Sequence, residues 1–240
     1  MIHGNTVLAV VMARGGSKGI PRKNLRLVGG KPMLAWTIAA AQGSRFIDRT
    51  ILSSEDSEIV SVARQIGCEV PFMRPAELAL DETSAMDVVH HALGALEKTY
   101  DFLVLLQPTS PLRSSIDIDS CLMMCHEKTA PAAVSVVKVD KNPYWMYSIE
   151  TDLRLRPLIT TEERPTRRQS LPSYYALNGA VFVARTEWLI KTGDFVGPET
   201  VAYIMPADRS VDIDTERDLW LANAFIAGNE GFTSTGAKLP

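Results

Sequence analysis

Five basic side chains crowd into one short stretch of an otherwise mildly acidic chain. Arg14, Lys18, Arg22, Lys23 and Arg26 fall within "RGGSKGIPRKNLR", loosened by Gly15, Gly16 and Gly19, directly after the apolar run "TVLAVVM" (6–12). Glycines let backbone N–H groups turn toward an anion, and Lys and Arg supply the compensating charge. The string is neither a Walker loop nor the dinucleotide fingerprint G-x-G-x-x-G. A solvated turn is the bland alternative. Such a density of cation in a chain of net charge −3 favours polyphosphate.

A second candidate is "SVDIDT" (210–215). Asp212 and Asp214, one residue apart on an extended segment, both reach a divalent ion if the backbone bends, and Mg²⁺ on phosphates takes only one or two protein carboxylates. The competing reading is a helix cap by Asp214 or Thr215, with Asp218 three residues beyond. The same pattern recurs in "IDIDS" (116–120), inside a helix that Ser114 and Asp117 have the spacing to cap, where alternate residues diverge. A third is "LQPTSPLR", closing on Arg113. There two prolines fix the turn after a buried strand and present Thr109 and Ser110 at its end. Cys121, Cys125 and His126 invite a metal reading, but no second half of a tetrahedral site is found. Reduced buried thiols, Cys68 included, are the better reading.

The elements that must position these residues alternate. Strands are expected at 6–12, 49–54, 101–107 and 132–139, with a short one in "EVPFM". Helices are expected at 31–43 with Pro32 in the first turn, at 56–67, at 84–98 and in "CLMMCHEK". That order predicts an α/β doubly wound fold with a mostly parallel sheet, in which ligands sit beyond the carboxyl ends of the strands. Regularity loosens over 140–177 and returns with "NGAVFVA" (178–184), a helix near 186–192, "TVAYIMP" and "TERDLWLANAFIAG". We read 1–228 as one domain, 140–177 as an excursion able to pack on another subunit, and 229–240 as a flexible tail. With 46% hydrophobic and 22% charged residues, no apolar run near the roughly 20 residues of a membrane helix, and no secretion-signal pattern in residues 1–6, a soluble globular, cytoplasmic protein with no membrane partner is expected. Clustering of basic residues is confined to one loop and the "RRQ" patch, which argues against nucleic acid.

Five motifs in order, "ARGGSKGIPRKN", "RPAELALDETS", "LQPTSPLR", "NGAVFV" and "SVDIDT", together resemble the acylneuraminate cytidylyltransferases, the CMP-sialic acid synthetase family. The likeness runs from about residue 7 to 227. It implies a Rossmann-like nucleotidyltransferase that couples CTP to a nine-carbon 2-keto sugar acid with Mg²⁺, as a homodimer whose protruding segment closes over the partner's sugar pocket. It further implies that Arg14, Ser17, Lys18, Lys23 and Asn24 hold the triphosphate and nucleotide. Ala13, Arg74 and Ser84 would surround cytosine and ribose, and Gln107, Thr109, Ser110 and Asn178 would line the sugar side. Asp212 and Asp214 would bind the metal, and Arg168 would reach an acidic ligand from the excursion.

The chemistry agrees: an anomeric hydroxyl attacks the α-phosphorus in line, so positioning and electrostatics dominate. His3, His90, His91 and His126 lie in a terminus or in helices, and no histidine stands out as a base. Two departures fall on the sugar side. Ala176 stands where sialic-acid-activating members carry an Arg, and Trp145 where they tend to carry a Lys. Exchanging cations for apolar groups points to a 5,7-diamino nonulosonate of legionaminic or pseudaminic type rather than N-acetylneuraminic acid. The alternative is that Arg167 or Arg168 takes over the carboxylate and the substrate is ordinary sialic acid. A nucleotide-sugar glycosyltransferase normally closes a first-half strand with its D-x-D, where this chain has "LLQPTS". A non-catalytic CTP-binding dimer is disfavoured because both aspartates and the loop lysines are present.

Overall fold

The first strand, β1 (Val7–Met12), is hydrophobic throughout and buried almost to its end, as a strand covered on both faces must be. In this computed structural model, which describes residues 1–160, 169 and 171–234, it is followed by β2 (Leu27–Val28), β3 (Lys31–Pro32), α1 (Met33–Gln42), β4 (Arg49–Ser53) and α2 (Ser57–Gln65). Then come α3 (Ala85–Gly94), β5 (Phe102–Leu106), α4 (Ser115–Glu127), β6 (Ala132–Lys138), β7 (Tyr147–Ile149) and β8 (Leu155–Pro157). The chain closes with β9 (Tyr175–Arg185), α5 (Thr186–Thr192), β10 (Val201–Ile204) and α6 (Glu216–Ser234).

Six strands form one sheet in the order β10-β6-β9-β5-β1-β4. β1 runs parallel to β4 and β5, and β10 parallel to β6. β9 lies antiparallel between β5 and β6. The sheet is therefore mostly parallel, as expected, with one inverted strand near its middle. The inversion brings the start of β9, in register with the end of β6 (Leu177 opposite Val136, Tyr175 opposite Lys138), to the edge where the parallel strands finish.

Alternate residues of β1 face different layers. Val7, Ala9 and Val11 join Leu34, Ile38, Ile59 and Leu122 from α1, α2 and α4. Leu8 and Val10 join Val89 and Leu189 from α3 and α5. A third cluster lies away from the sheet. Leu219, Ala222 and Ile226 of α6 meet Ile20, Val28, Val211 and Ile213, so α6 underpins the basic loop.

Local chemistry sets where the helices begin. Asp56 accepts the N–H groups of Glu58 and Ile59 to start α2, and capping boxes Ser84/Asp87 and Ser114/Asp117 start α3 and α4. The acidic repeat at 116–120 thus sits in a helix, with Asp117 turned inward onto Arg209 and Tyr203. Pro32 precedes α1 instead of forming its first turn. "EVPFM" makes no strand, only the bridge between Glu69 and Ile51, because Pro71 has no N–H to extend the ladder. α6 runs on through Ser234, past Asn229 where the flexible tail was expected to begin. Within the 140–177 excursion β7 and β8 pair as an exposed antiparallel hairpin. Arg167 and Arg168 lie outside the described residues.

Candidate active site

A cavity of about 420 Å³ opens at the carboxyl ends of β1 and β5. One wall is the basic loop, through Arg14, Ser17, Lys18, Lys23 and Asn24. The facing wall is the segment from Leu78 to Ala85 with Arg74 behind it, and Gln107, Thr109 and Asp214 complete the lining.

The loop takes its shape from the turn after β4. The Gly15 N–H donates to Glu55 Oε1 at 2.6 Å. Arg22, in the left-handed region at φ 56°, reaches Asp56 Oδ2 at 2.5 Å and also pairs with Glu58. Arg22 therefore pins the loop to α2 and does not line the cavity, which corrects its inclusion among the polyphosphate cations. Asn24 is buried and donates to the Arg14 carbonyl at 2.8 Å. Gly19 permits a close approach: a Cβ there would stand 2.3 Å from the Asp214 carbonyl oxygen.

Arg74 is also buried, with Nε 3.0 Å from Ser53 Oγ and a second nitrogen on the Ser53 carbonyl. Burial presses its pKa down, and the charge of Glu55 opposes that. Ser84 lines the cavity, but its hydroxyl is engaged with Asp87 in the α3 cap. Ala13 is buried behind the lining, its N–H on the Ser53 carbonyl at 3.2 Å.

The "SVDIDT" segment alternates as an extended chain should. Val211 and Ile213 point into the α6 cluster while Asp212 and Asp214 face out. Thr215, bonded reciprocally with Asp218, makes the cap, so the Asp214 carboxylate is not consumed by it. Lys23 Nζ lies 2.8 Å from Asp214 Oδ1 instead. Asp212 reaches solvent, yet burial on its protein side pushes its carboxyl pKa up. A hydrogen bond from the Thr109 hydroxyl pulls the other way, and the neighbouring Asp214 charge adds to the rise. Thr109 holds the segment a second time, its carbonyl accepting the Ile213 N–H at 2.8 Å.

On the expected sugar side, Gly179 is the hub that sequence reasoning passed over. At φ +69°, a Cβ there would meet Gln107 Oε1 at 3.1 Å, Asp212 Oδ2 at 3.5 Å and Ser110 Oγ at 3.7 Å. Its place in "NGAVFV" was the available signal. Ser110 is fully buried, with its hydroxyl on the Asn178 carbonyl. The Asn178 amide is spent inside the protein. It donates to Ser210 Oγ at 2.9 Å and Met205 Sδ at 3.3 Å, and it accepts from Ser135 Oγ and the Ala180 N–H. Neither residue lines the cavity, so both stand behind the lining residues Gln107 and Thr109 instead of facing the space expected for the sugar. Trp145 sits on the excursion, 40% exposed and outside the lining.

Arg113, at the end of "LQPTSPLR", was given no role. Fully buried, it donates to the carbonyls of Ala180 and Gln107, both at 2.7 Å, and joins the end of β5 to β9 behind the cavity. The three cysteines are free and buried, and burial pushes the thiols up, to about 12 at Cys68 and about 11 at Cys125. His126 stacks on His3 with ring centroids 4.1 Å apart. Among the described residues no group of three or more His, Cys, Asp or Glu side chains converges as a metal cluster, and no helix is long and apolar enough to cross a membrane.

Comparison with known proteins places these features in context. Residues 8–154 match the family described as Cytidylyltransferase. Over 93% of its length the chain is 33% identical to a CMP-N,N'-diacetyllegionaminic acid synthase of Legionella pneumophila, covering 97% of that protein. It is 32% identical over 90% of its length to an N-acylneuraminate cytidylyltransferase of Escherichia coli, of which it covers 51%. Among solved structures, a CMP:2-keto-3-deoxy-manno-octonic acid synthetase complexed with CTP superimposes with a TM-score of 0.69 at 17% identity, over 93% of this chain and 99% of that one. That last likeness concerns the fold.

Proposed function

The chain belongs to the cytidylyltransferase family and is a nucleotidyltransferase, and we propose that it couples CTP to a nonulosonic acid to give a CMP-sugar and pyrophosphate. The observation that carries this reading is the cavity itself. Arg14, Lys18 and Lys23 line one side of it, with Asp214 beside Lys23. In that reading the triphosphate lies along the loop, and the base and ribose lie between Met12 and the segment from Leu78 to Ala85. The sugar approaches from Gln107 and Thr109, over the floor braced by Ser110, Asn178 and Arg113.

The sugar's anomeric hydroxyl attacks the α-phosphorus. Its O–P bond forms as the bond to the β-phosphate bridging oxygen breaks, the hydroxyl proton passes to solvent or a neighbouring carboxylate, and pyrophosphate leaves. Lys and Arg charges meet the negative charge growing on the equatorial and leaving oxygens.

Asp212 and Asp214 suit Mg²⁺. They are hard oxygen donors one residue apart, and each already feels a positive partner or a neighbouring negative charge, which is the donor set of an ion that completes its shell with phosphate and water. Bound there, Mg²⁺ would neutralise phosphate charge and lower the pKa of the attacking hydroxyl. Lys23, which lines the cavity beside Asp214, would then be free to meet the phosphates.

For the sugar, the reading favours a 5,7-diamino nonulosonate. Ala176 lies on the first residues of β9 beside exposed Tyr175 and Leu177, and Trp145 adds an apolar surface on the excursion. The similarities to legionaminic and sialic acid enzymes are nearly equal, so this preference rests on those side chains. The exposed hairpin, with Ile149, Leu155 and Leu158 more than 60% accessible, supports a homodimer built through the excursion. Pyrophosphate release with CTP, Mg²⁺ and a panel of N-acetylneuraminic, legionaminic, pseudaminic and octulosonic acids tests the assignment. A 5,7-diamino sugar should lead, and preference for N-acetylneuraminic acid would retain the reaction and discard the sugar.

A further inference from the structure

Asp81 lies in the "RPAELALDETS" stretch and lines the cavity, yet no role above uses it. Its carboxylate bridges the two walls: Oδ1 is 2.7 Å from Arg14 Nη2, and Oδ2 is 2.7 Å from Lys18 Nζ. Arg14 touches the same segment again through the Ala79 carbonyl, at 3.4 Å. Lys18 and then Arg14, by hydrogen bonding to it, hold the Asp81 carboxyl below the usual carboxylate range.

The other loop cations have partners of their own: Arg22 has Asp56 and Glu58, Lys23 has Asp214, and Arg26 has Glu216. Unlike the partners of Arg22 and Arg26, Asp81 lines the cavity, inside the space a polyphosphate would fill; Asp214, which lines it too, holds a single cation and is assigned to the metal. A carboxylate left in place would press like charge against phosphate oxygens in a partly enclosed site, where Coulomb repulsion is less screened than in bulk water.

Leaving is easy for it. Asp81 is 38% exposed and Lys18 81%, and exposed ion pairs contribute little. The surrounding segment can release Asp81 without unravelling the cavity. Ser84 stays anchored by its reciprocal bonds with Asp87, and Thr83 Oγ1 holds the Glu77 carbonyl at 3.2 Å.

We propose that Asp81 is the built-in counter-anion of the phosphate loop: a polyphosphate displaces its carboxylate from Arg14 and Lys18, and the carboxylate returns as pyrophosphate leaves. The inference rests on the cavity being the triphosphate site. It predicts that Asp81 lowers affinity for every polyphosphate that uses those two cations and speeds product release.

The test compares wild type with Asp81→Asn and Asp81→Ala. Inorganic tripolyphosphate, pyrophosphate and CTP are titrated calorimetrically at low salt, and pyrophosphate inhibition is measured during turnover. Both variants should bind all three ligands roughly three- to tenfold more tightly, the scale of two exposed ion pairs. Pyrophosphate should inhibit them at correspondingly lower concentration. Equal or weaker binding in the variants overturns the inference, since the carboxylate is then a fixed brace for the two cations. Wild type that binds none of the three ligands overturns the nucleotide-site reading together with it, and so the two failures are told apart.

Discussion

Lys23 and Asp214, 191 residues apart in the chain, meet as an ion pair of 2.8 Å at the edge of the cavity. The cation proposed for phosphate and the carboxylate proposed for the metal thus neutralise each other. Asp214 is 72% exposed and Lys23 15%, so water can replace the lysine at Asp214, and the pair contributes about 1 kcal/mol or less. Lys23→Met should leave the thermal midpoint nearly unchanged and weaken CTP binding about ten- to a hundredfold. Paired melting curves and CTP titrations separate the two effects.

Gly179 and Gly19 are required for different reasons, and each has its own test. Gly179→Ala puts a side chain at φ +69° against Gln107 and Asp212. It should cost about 1–3 kcal/mol of stability and lower kcat/KM for the sugar more than for CTP. Gly19→Ala would place its Cβ on the Asp214 carbonyl and push the loop off the acidic segment, so the loss should fall on CTP and Mg²⁺ dependence. Denaturant unfolding with steady-state kinetics checks both.

The sheet, the basic loop and the acidic segment were legible because their signals are local. β1 is uniformly apolar, and Val211, Asp212, Ile213 and Asp214 alternate. The inversion of β9 between β5 and β6 was not legible, because pairing direction depends on the connection and leaves no mark in a strand's own residues. Charge alone could not separate Lys18, which lines the cavity, from Arg22. That distinction is made by Asp56 and Glu58, more than thirty positions away. The inward commitment of the Asn178 amide was hidden for the same reason, since its partners Ser135, Met205 and Ser210 come from separate segments.

Asp117 gives the fold an acid limit. Burial pushes its carboxyl up, but Arg209 and the Ser114 cap outweigh burial and hold it below the ordinary value near 3.8. A carboxyl depressed in the folded state contributes stability above its unfolded pKa and loses it as pH falls through the folded one. Urea midpoints of wild type should therefore drop below about pH 4 more steeply than those of Asp117→Asn. At neutral pH that variant should be less stable by about 1–3 kcal/mol, a breakage cost discounted because Arg209 is partly exposed.

Sugar preference is carried by Ala176 in this account. Ala176→Arg should raise kcat/KM for N-acetylneuraminic acid relative to a 5,7-diamino sugar several-fold while leaving KM for CTP unchanged. Competition between the two sugars in one reaction reads the ratio directly, and an unchanged ratio removes Ala176 from the argument.

The most direct test of the central claim follows the α-phosphate. CTP labelled at the α-phosphorus is mixed with enzyme, Mg²⁺ and a nonulosonic acid, and the products are separated in a single turnover. The account predicts the label in a CMP-sugar, unlabelled pyrophosphate in equal amount, and loss of both in Asp212→Asn. Label appearing only in free CMP or CDP, or full turnover in Asp212→Asn, would contradict it.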